Sequence, residues 1–473
     1  MENTANYKKW TIMSIIILST FMSTLDGSIV NVALPRMAKT LGTTSASIQL
    51  VATCYLITIA GTVLIFGRLG DILGKTRVFT IGLGVFTIGS LLCGLANSFL
   101  LLIIARIIQA IGAAGTMANN QGIIAETFPP YERGKALGLN GTAVALGSLV
   151  GPGLGGLIVG ASSWEYIFLI NVPIGLITLV LCIKLLPKGH REAFGRFDVL
   201  GAGLFLISIV SLFSALNEAL NRGFTDPLIL LGFALSMVSF PAFIIVELKR
   251  DNPMIQLQIF QSTLFSLSIF CGFISFLAIF CSNIILPFYL QDVIKFSPQN
   301  AGLMLMIYPL ILSVVAPISG HLSDKIGSEL LTFIGLLTSS GGLIMMSTLK
   351  ENSSLISMLI FIGIISVGMG IFQSPNNSLI MSSVSRDKLG IAGSINALVR
   401  NLGMICGIAL ATTMLYSRMS SIIGYRVTNY VEGRGDAFIY GMKAVYLTAG
   451  CISLVGAALT LIRLIGKGKR GNQ

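Results

Sequence analysis

The sequence predicts an all-α polytopic membrane protein, and three observations carry that prediction. Only 11% of the 473 residues are charged, 54% are hydrophobic and mean hydropathy is +0.87. A soluble chain of this length carries about a quarter charged residues. Apolar stretches of about 20 residues, the length that crosses a bilayer as a helix, recur along the whole chain. The second half also repeats landmarks of the first, which predicts two helical bundles in the same orientation.

Fourteen spans are legible, near 11–34, 48–66, 78–97, 98–122, 135–159, 165–186, 197–217, 227–247, 263–290, 299–321, 329–348, 354–382, 389–415 and 441–463. Lys8 and Lys9 precede the first. It is too long for a signal-peptide core and lacks an obvious small-residue cleavage site, so it is expected to stay as a transmembrane helix. With the N-terminus in the cytoplasm, 20 of the 31 Lys and Arg fall in cytoplasmic segments and 9 outside. That bias predicts both termini inside and an even number of spans. The net charge of +12 is therefore read as loop charge set by topology, and no nucleic-acid partner is expected. The 7 cysteines all lie in apolar runs, are odd in number and form no CxxC, so buried free thiols are expected.

The internal repeat has a definite register. Gly67, Leu69, Asp71 and Gly74 match Gly320, Leu322, Asp324 and Gly327. Asn119 and Asn120 match Asn376 and Asn377, and Asn140, Gly147 and Gly151 match Asn396, Gly403 and Gly407. Six spans per bundle leave spans seven and eight between them. The predicted domains are residues 1–190 (spans one to six), 191–250 (an inserted hairpin) and 251–473 (spans nine to fourteen). Parallel repeats with a site at their interface are a transporter design.

Several motifs then appear in order: LDGSIVNVALP at 25–35, GRLGDILGKTR at 67–77, ARIIQAIGAA at 105–114, LGSLVGPGLGG at 146–156, WEYIFLINVPIG at 164–175 and LPFYLQDVIKFSPQNAG at 286–302. Together they resemble the major facilitator superfamily, specifically its fourteen-span drug:proton antiporters, over essentially the whole chain. The resemblance implies the major facilitator fold, two six-helix bundles plus two inserted helices. It implies a multi-pass protein of the cell membrane that is a monomer and not an enzyme. It implies export of small amphipathic, cationic compounds against an inward flow of protons, and so partners limited to protons, a small-molecule substrate and the lipid bilayer. One departure is Glu165, where the family often has a basic residue after the tryptophan.

The physical reading of the motifs assigns candidate residues. Asp26 and Arg106 both lie about 12 Å below the outer ends of their spans, at about 1.5 Å per residue. A lone charge deep in lipid costs about 2.5–3.5 kcal/mol, so such residues face a cavity and pair. The resemblance implies that Asp26 and Arg106 are the proton-coupling pair, with substrate and proton competing for one carboxylate. The alternative is a static ion pair that fixes helix packing. Gln109 and Asn120 follow Arg106 at helical spacing and are expected on its face, in the cavity. Tyr308, Gln373, Asn377, Asn396 and Arg400 are the cavity candidates of the second half. Arg400 has Val144 or Ala143 at its counterpart position, so it is not inherited from the repeat.

Gly67, Arg68, Asp71, Gly74 and Arg77, with Asp324 in the second copy, read as a solvated positive loop on charge alone. The resemblance adds a conformational latch between the halves. Gly147, Gly151, Gly155 and Gly156 allow close helix approach, and Pro152 bends the helix between them. The resemblance adds a role in shaping the antiporter cavity. Glu126 is expected at an interface, and the outer stretch 416–440 as a solvated loop. With only His190 and His321, no HExxH and no GxxxxGK[ST], neither a metal nor a nucleotide nor any other cofactor is expected. Two readings stay open beside drug export: export of a specific metabolite or lipid, and a non-transporting membrane sensor or enzyme.

Overall fold

The structure is a computed structural model and describes residues 2–186, 197–223, 225–250, 257–385 and 389–470. Among these residues 14 helices are long and apolar enough to cross a membrane. They are span 1 (Lys9–Thr40), span 2 (Ser47–Leu73), span 3 (Lys75–Gly94), span 4 (Phe99–Thr127), span 5 (Ala136–Ala161), span 6 (Tyr166–Leu185) and span 7 (Val199–Ala219). The rest are span 8 (Pro227–Lys249), span 9 (Thr263–Val293), span 10 (Pro298–Ser323), span 11 (Ser328–Met346), span 12 (Leu355–Ser382), span 13 (Ile391–Ile423) and span 14 (Gly435–Ile465). Every expected span is present. Spans 1, 2, 4, 9, 10, 13 and 14 run three or more residues longer than hydropathy indicated, because a helix continues past the apolar slab on its own backbone hydrogen bonds.

The chain divides into two compact units, Met1–Val30 with Leu50–Leu257, and Asn31–Gln49 with Gln258–Gln473. In the first unit, spans 3 and 4 meet through glycines. A β-carbon on Gly82 would lie 2.8 Å from the Gly112 carbonyl oxygen. Spans 5 and 1 meet the same way: a β-carbon on Gly147 would lie 2.8 Å from the Phe21 carbonyl and 3.0 Å from the Leu25 amide. Gly151 and Gly155 continue that seam along Ser28 and Ile29, and Pro152 is buried inside the same helix. Spans 7 and 8 form a hairpin around Ala215, Ala219 and Ile229, and Leu206 of span 7 reaches Gly61 of span 2. Met237, Val238 and Leu248 on span 8 are exposed, as suits a lipid-facing helix.

The second unit repeats this packing in its own residues. Gly335 of span 11 meets the Gly368 carbonyl of span 12 at 2.8 Å, and Gly403 of span 13 meets the Phe273 carbonyl of span 9 at 2.7 Å, each measured to a hypothetical β-carbon. Gly74 and Gly327 cap equivalent helix starts with φ of +98° and +93°, a region glycine enters without steric cost. Residues 31–49 are held by this unit. The Gln291 amide donates to the Val32 carbonyl at 2.9 Å, Lys39 pairs with Asp292 at 3.3 Å, and Thr412 bonds Gln49. The stretch 416–440, expected as a solvated loop, keeps much of 421–434 exposed but is tied down at its middle. The Ala46 amide donates to the Thr428 carbonyl, the Ser45 amide to the Asn429 side chain, and Tyr430 stacks edge-on against Phe438.

Candidate functional site: a buried ion-pair cluster

Span 1 is apolar around Asp26, and span 4 is small and apolar around Arg106, so each charge is carried into a dry interior by its own helix. The two meet directly: Arg106 Nη1 donates to Asp26 Oδ2 at 2.7 Å. Neither is exposed, at 0% for Asp26 and 1% for Arg106. The pair therefore does not face across a water-lined space; it is enclosed.

A ring of donors completes it. Gln109, one turn beyond Arg106 on span 4, donates its amide to Asp26 Oδ1 at 2.8 Å and accepts from Arg106 Nη1 at 2.7 Å. The Gln109 amide also reaches Ser90 Oγ of span 3 at 2.8 Å. Asn171, on span 6, donates to Asp26 Oδ1 at 2.9 Å. Arg106 Nε donates to the Val51 carbonyl at 3.0 Å, and its guanidinium lies 4.1 Å from the Tyr55 ring centre and 5.4 Å from that of Phe168. Five spans thus converge on one ion pair. In such low-dielectric surroundings each charge-assisted bond is stronger than in water, and each unmet one more costly.

Sequence reasoning does not single out Asn171, Ser90, Tyr55 or Phe168. Asn171 and Phe168 do lie in the WEYIFLINVPIG stretch, so a signal is present without a reason to rank it. Glycine makes the approach of span 3 to Gln109 feasible: the Gln109 backbone occupies the space a side chain at Gly89 would need.

The other candidates separate into distinct places. Asn120 is not at the Asp26 cluster. It donates to Thr20 Oγ1 at 2.6 Å and to Asn140 Oδ1 at 3.3 Å, joining spans 4, 1 and 5. In the second unit Asn396 donates to Asn377 Oδ1 at 3.1 Å, the matching bridge between spans 13 and 12. Tyr308 lines a small cavity of about 20 Å³ with Ser282, Asn283 and Met304, room for about one water. Gln373 is partly buried on span 12. Arg400 is partly buried on span 13, and its Nε has no hydrogen-bond partner.

At the junction of spans 2 and 3, Lys75 bridges Asp71 at 3.1 Å and Glu126 at 2.7 Å, tying the start of span 3 to the ends of spans 2 and 4. Gly67 and Arg68 are partly buried and Arg77 is exposed. The Asp324 side chain lies outside the described residues. Gly147, Gly151 and Gly155 are buried at the seam with span 1, and Gly156 is buried beside them.

Comparison with known proteins agrees with this architecture. The model of the Major Facilitator Superfamily matches residues 16–407 and again 268–472. The chain is 35% identical over 455 residues to the riboflavin transporter RibZ of Clostridioides difficile (strain 630), covering 96% of this chain and 97% of that one. It is 30% identical over 426 residues to the multidrug transporter protein MdtP of Bacillus subtilis (strain 168), covering 90% and 79%. Among solved structures, a bacterial homolog of the human lysosomal transporter Spinster shares the fold, with a TM-score of 0.71 over 96% of both chains at 17% identity. The chain belongs to the Major Facilitator Superfamily and is a multi-pass membrane transporter.

Proposed function

We propose that the protein is a proton-coupled antiporter that exports small amphipathic compounds, organic cations among them, by alternating access. It works as a monomer in the cell membrane with both termini in the cytoplasm. One observation carries the reading: Asp26 is enclosed by Arg106, Gln109 and Asn171, with both carboxylate oxygens engaged. A proton on Asp26 removes the counter-charge of Arg106 and weakens the bonds that the Gln109 and Asn171 amides donate to the carboxylate. Breaking a buried ion pair in this way costs about 3–5 kcal/mol, enough to favour another arrangement of the helices. Substrate and proton then exclude each other through the Arg106 cluster, since Asp26 offers no exposed oxygen to a bound cation. An inward proton gains about 2.3 kcal/mol per 100 mV of membrane potential.

The loop at Gly67–Arg77 and its copy around Asp324 serve as a latch, and the glycine seam with Pro152 shapes the cavity. The bundles are residues 1–190 and 251–473, and spans 7 and 8 are an insert. Multidrug relatives support the drug-transport reading, and a relative that transports riboflavin supports the second reading, in which the substrate is one specific metabolite.

The test is ethidium transport in everted vesicles. Wild type is expected to concentrate ethidium when a proton gradient is applied and to exchange it without one. Asp26→Asn is expected to keep exchange and lose gradient-driven accumulation. Undiminished accumulation by that variant would refute proton coupling at Asp26.

A further inference from the structure

Arg400 is a deeply placed charge that the Asp26 cluster leaves unexplained. It lies within span 13, and its Nε is enclosed with no acceptor. Among the described residues it makes no ion pair with a carboxylate. Arginines within a membrane span pair, or they face a polar path. Asn377 of span 12 and Asn396 of span 13 are bridged at 3.1 Å. These spans are consecutive and antiparallel. Gln373 precedes Asn377 by one turn, and Arg400 follows Asn396 by one turn. Both steps run in the same direction, about 6 Å along the bundle at about 1.5 Å per residue. Gln373 and Arg400 thus share one level on the seam, above the Asn bridge.

The first half supplies the comparison. It has the same bridge, Asn120 to Asn140. One turn on, the repeat places Thr116 or Met117 and Val144, with no charge. The bridge therefore packs two helices without an arginine, and packing does not account for Arg400. A guanidinium offers a planar fork of donors that fits an oxyanion, and the neighbouring amides add further donors.

We propose that Arg400 and Gln373, seated on the Asn377–Asn396 bridge, form a subsite for a carboxylate or phosphate group on the transported molecule. This rests on the transport reading above. It makes the substrate an amphiphile bearing an oxyanion, and a molecule that also carries a cationic centre fits both halves of the account.

The test is binding of rhodamine B and of its ethyl ester, which lacks the free carboxylate, to purified protein in a nonionic detergent. Wild type is expected to prefer rhodamine B by about tenfold, the scale of one charge-assisted contact. Arg400→Gln is expected to bring the ratio of affinities close to unity, and Arg400→Lys to leave an intermediate ratio. Gln373→Ala, which keeps the charge, is expected to lower the ratio in part and serves if the arginine variant does not fold. Equal ratios in wild type and variants, or wild type with no carboxylate preference, would overturn the proposal. A lipid phosphate shares this chemistry. Excess phosphatidylglycerol that displaces rhodamine B alone assigns the subsite to headgroups as well, and no displacement assigns it to the solute. The ratio is read without a proton gradient, so failure of antiport and failure of this subsite are told apart.

Discussion

At the scale of residues, Asp26 and Arg106 need each other more than either needs its amide partners. Both are fully buried, and each is the other's counter-charge. Arg106→Gln leaves an uncompensated carboxylate in a dry interior, a loss of about 3–5 kcal/mol. The expected outcome is a lower midpoint of thermal unfolding in detergent. Adding Asp26→Asn removes the stranded charge and is expected to restore much of the midpoint without restoring gradient-driven transport. A double variant as unstable as the single one would contradict the pairing energetics. Asp26 and Arg106 are legible in the sequence because a charge inside an apolar run stands out. Gln109 is legible through its spacing from Arg106. Asn171 and Ser90 are not, because small neutral polar residues are common in helices and sequence alone does not say which carboxylate lies opposite.

At the scale of elements, the glycines decide how closely helices approach. Gly147 on span 5 and Gly403 on span 13 each face a backbone carbonyl, of Phe21 and Phe273. Alanine at either position is expected to force the helices apart and to cost about 1–3 kcal/mol, read as a lower unfolding midpoint. Gly138, exposed and with nothing within 4 Å of a hypothetical β-carbon, is the control and is expected to tolerate alanine. Equal behaviour of all three variants would mean that the seams are loose. The spans themselves are readable from hydropathy, because every backbone polar group in lipid has to be satisfied within a helix. The ends are less legible. Nothing in the pattern of 416–440 says that its middle folds against Ser45 and Ala46, since that contact joins residues separated by 384 positions.

At the scale of the whole molecule, the repeat visible in the sequence reappears as equivalent packing in each unit. Gly82 with Gly112 corresponds to Gly335 with Gly368, and Asn120 with Asn140 to Asn377 with Asn396. Function enters where the copies differ. The first half has Asp26 and Arg106 and the second has neither, whereas Arg400 belongs to the second alone. In the proposed mechanism the proton site lies in one half and the oxyanion subsite in the other. In that mechanism Asp26 holds the proton that substrate displaces. The most direct measurement is proton release from purified protein in weakly buffered detergent on adding ethidium, followed with a pH indicator. Wild type is expected to release protons as ethidium binds, and Asp26→Asn to bind ethidium without releasing them. Equal proton release by both proteins would contradict that mechanism.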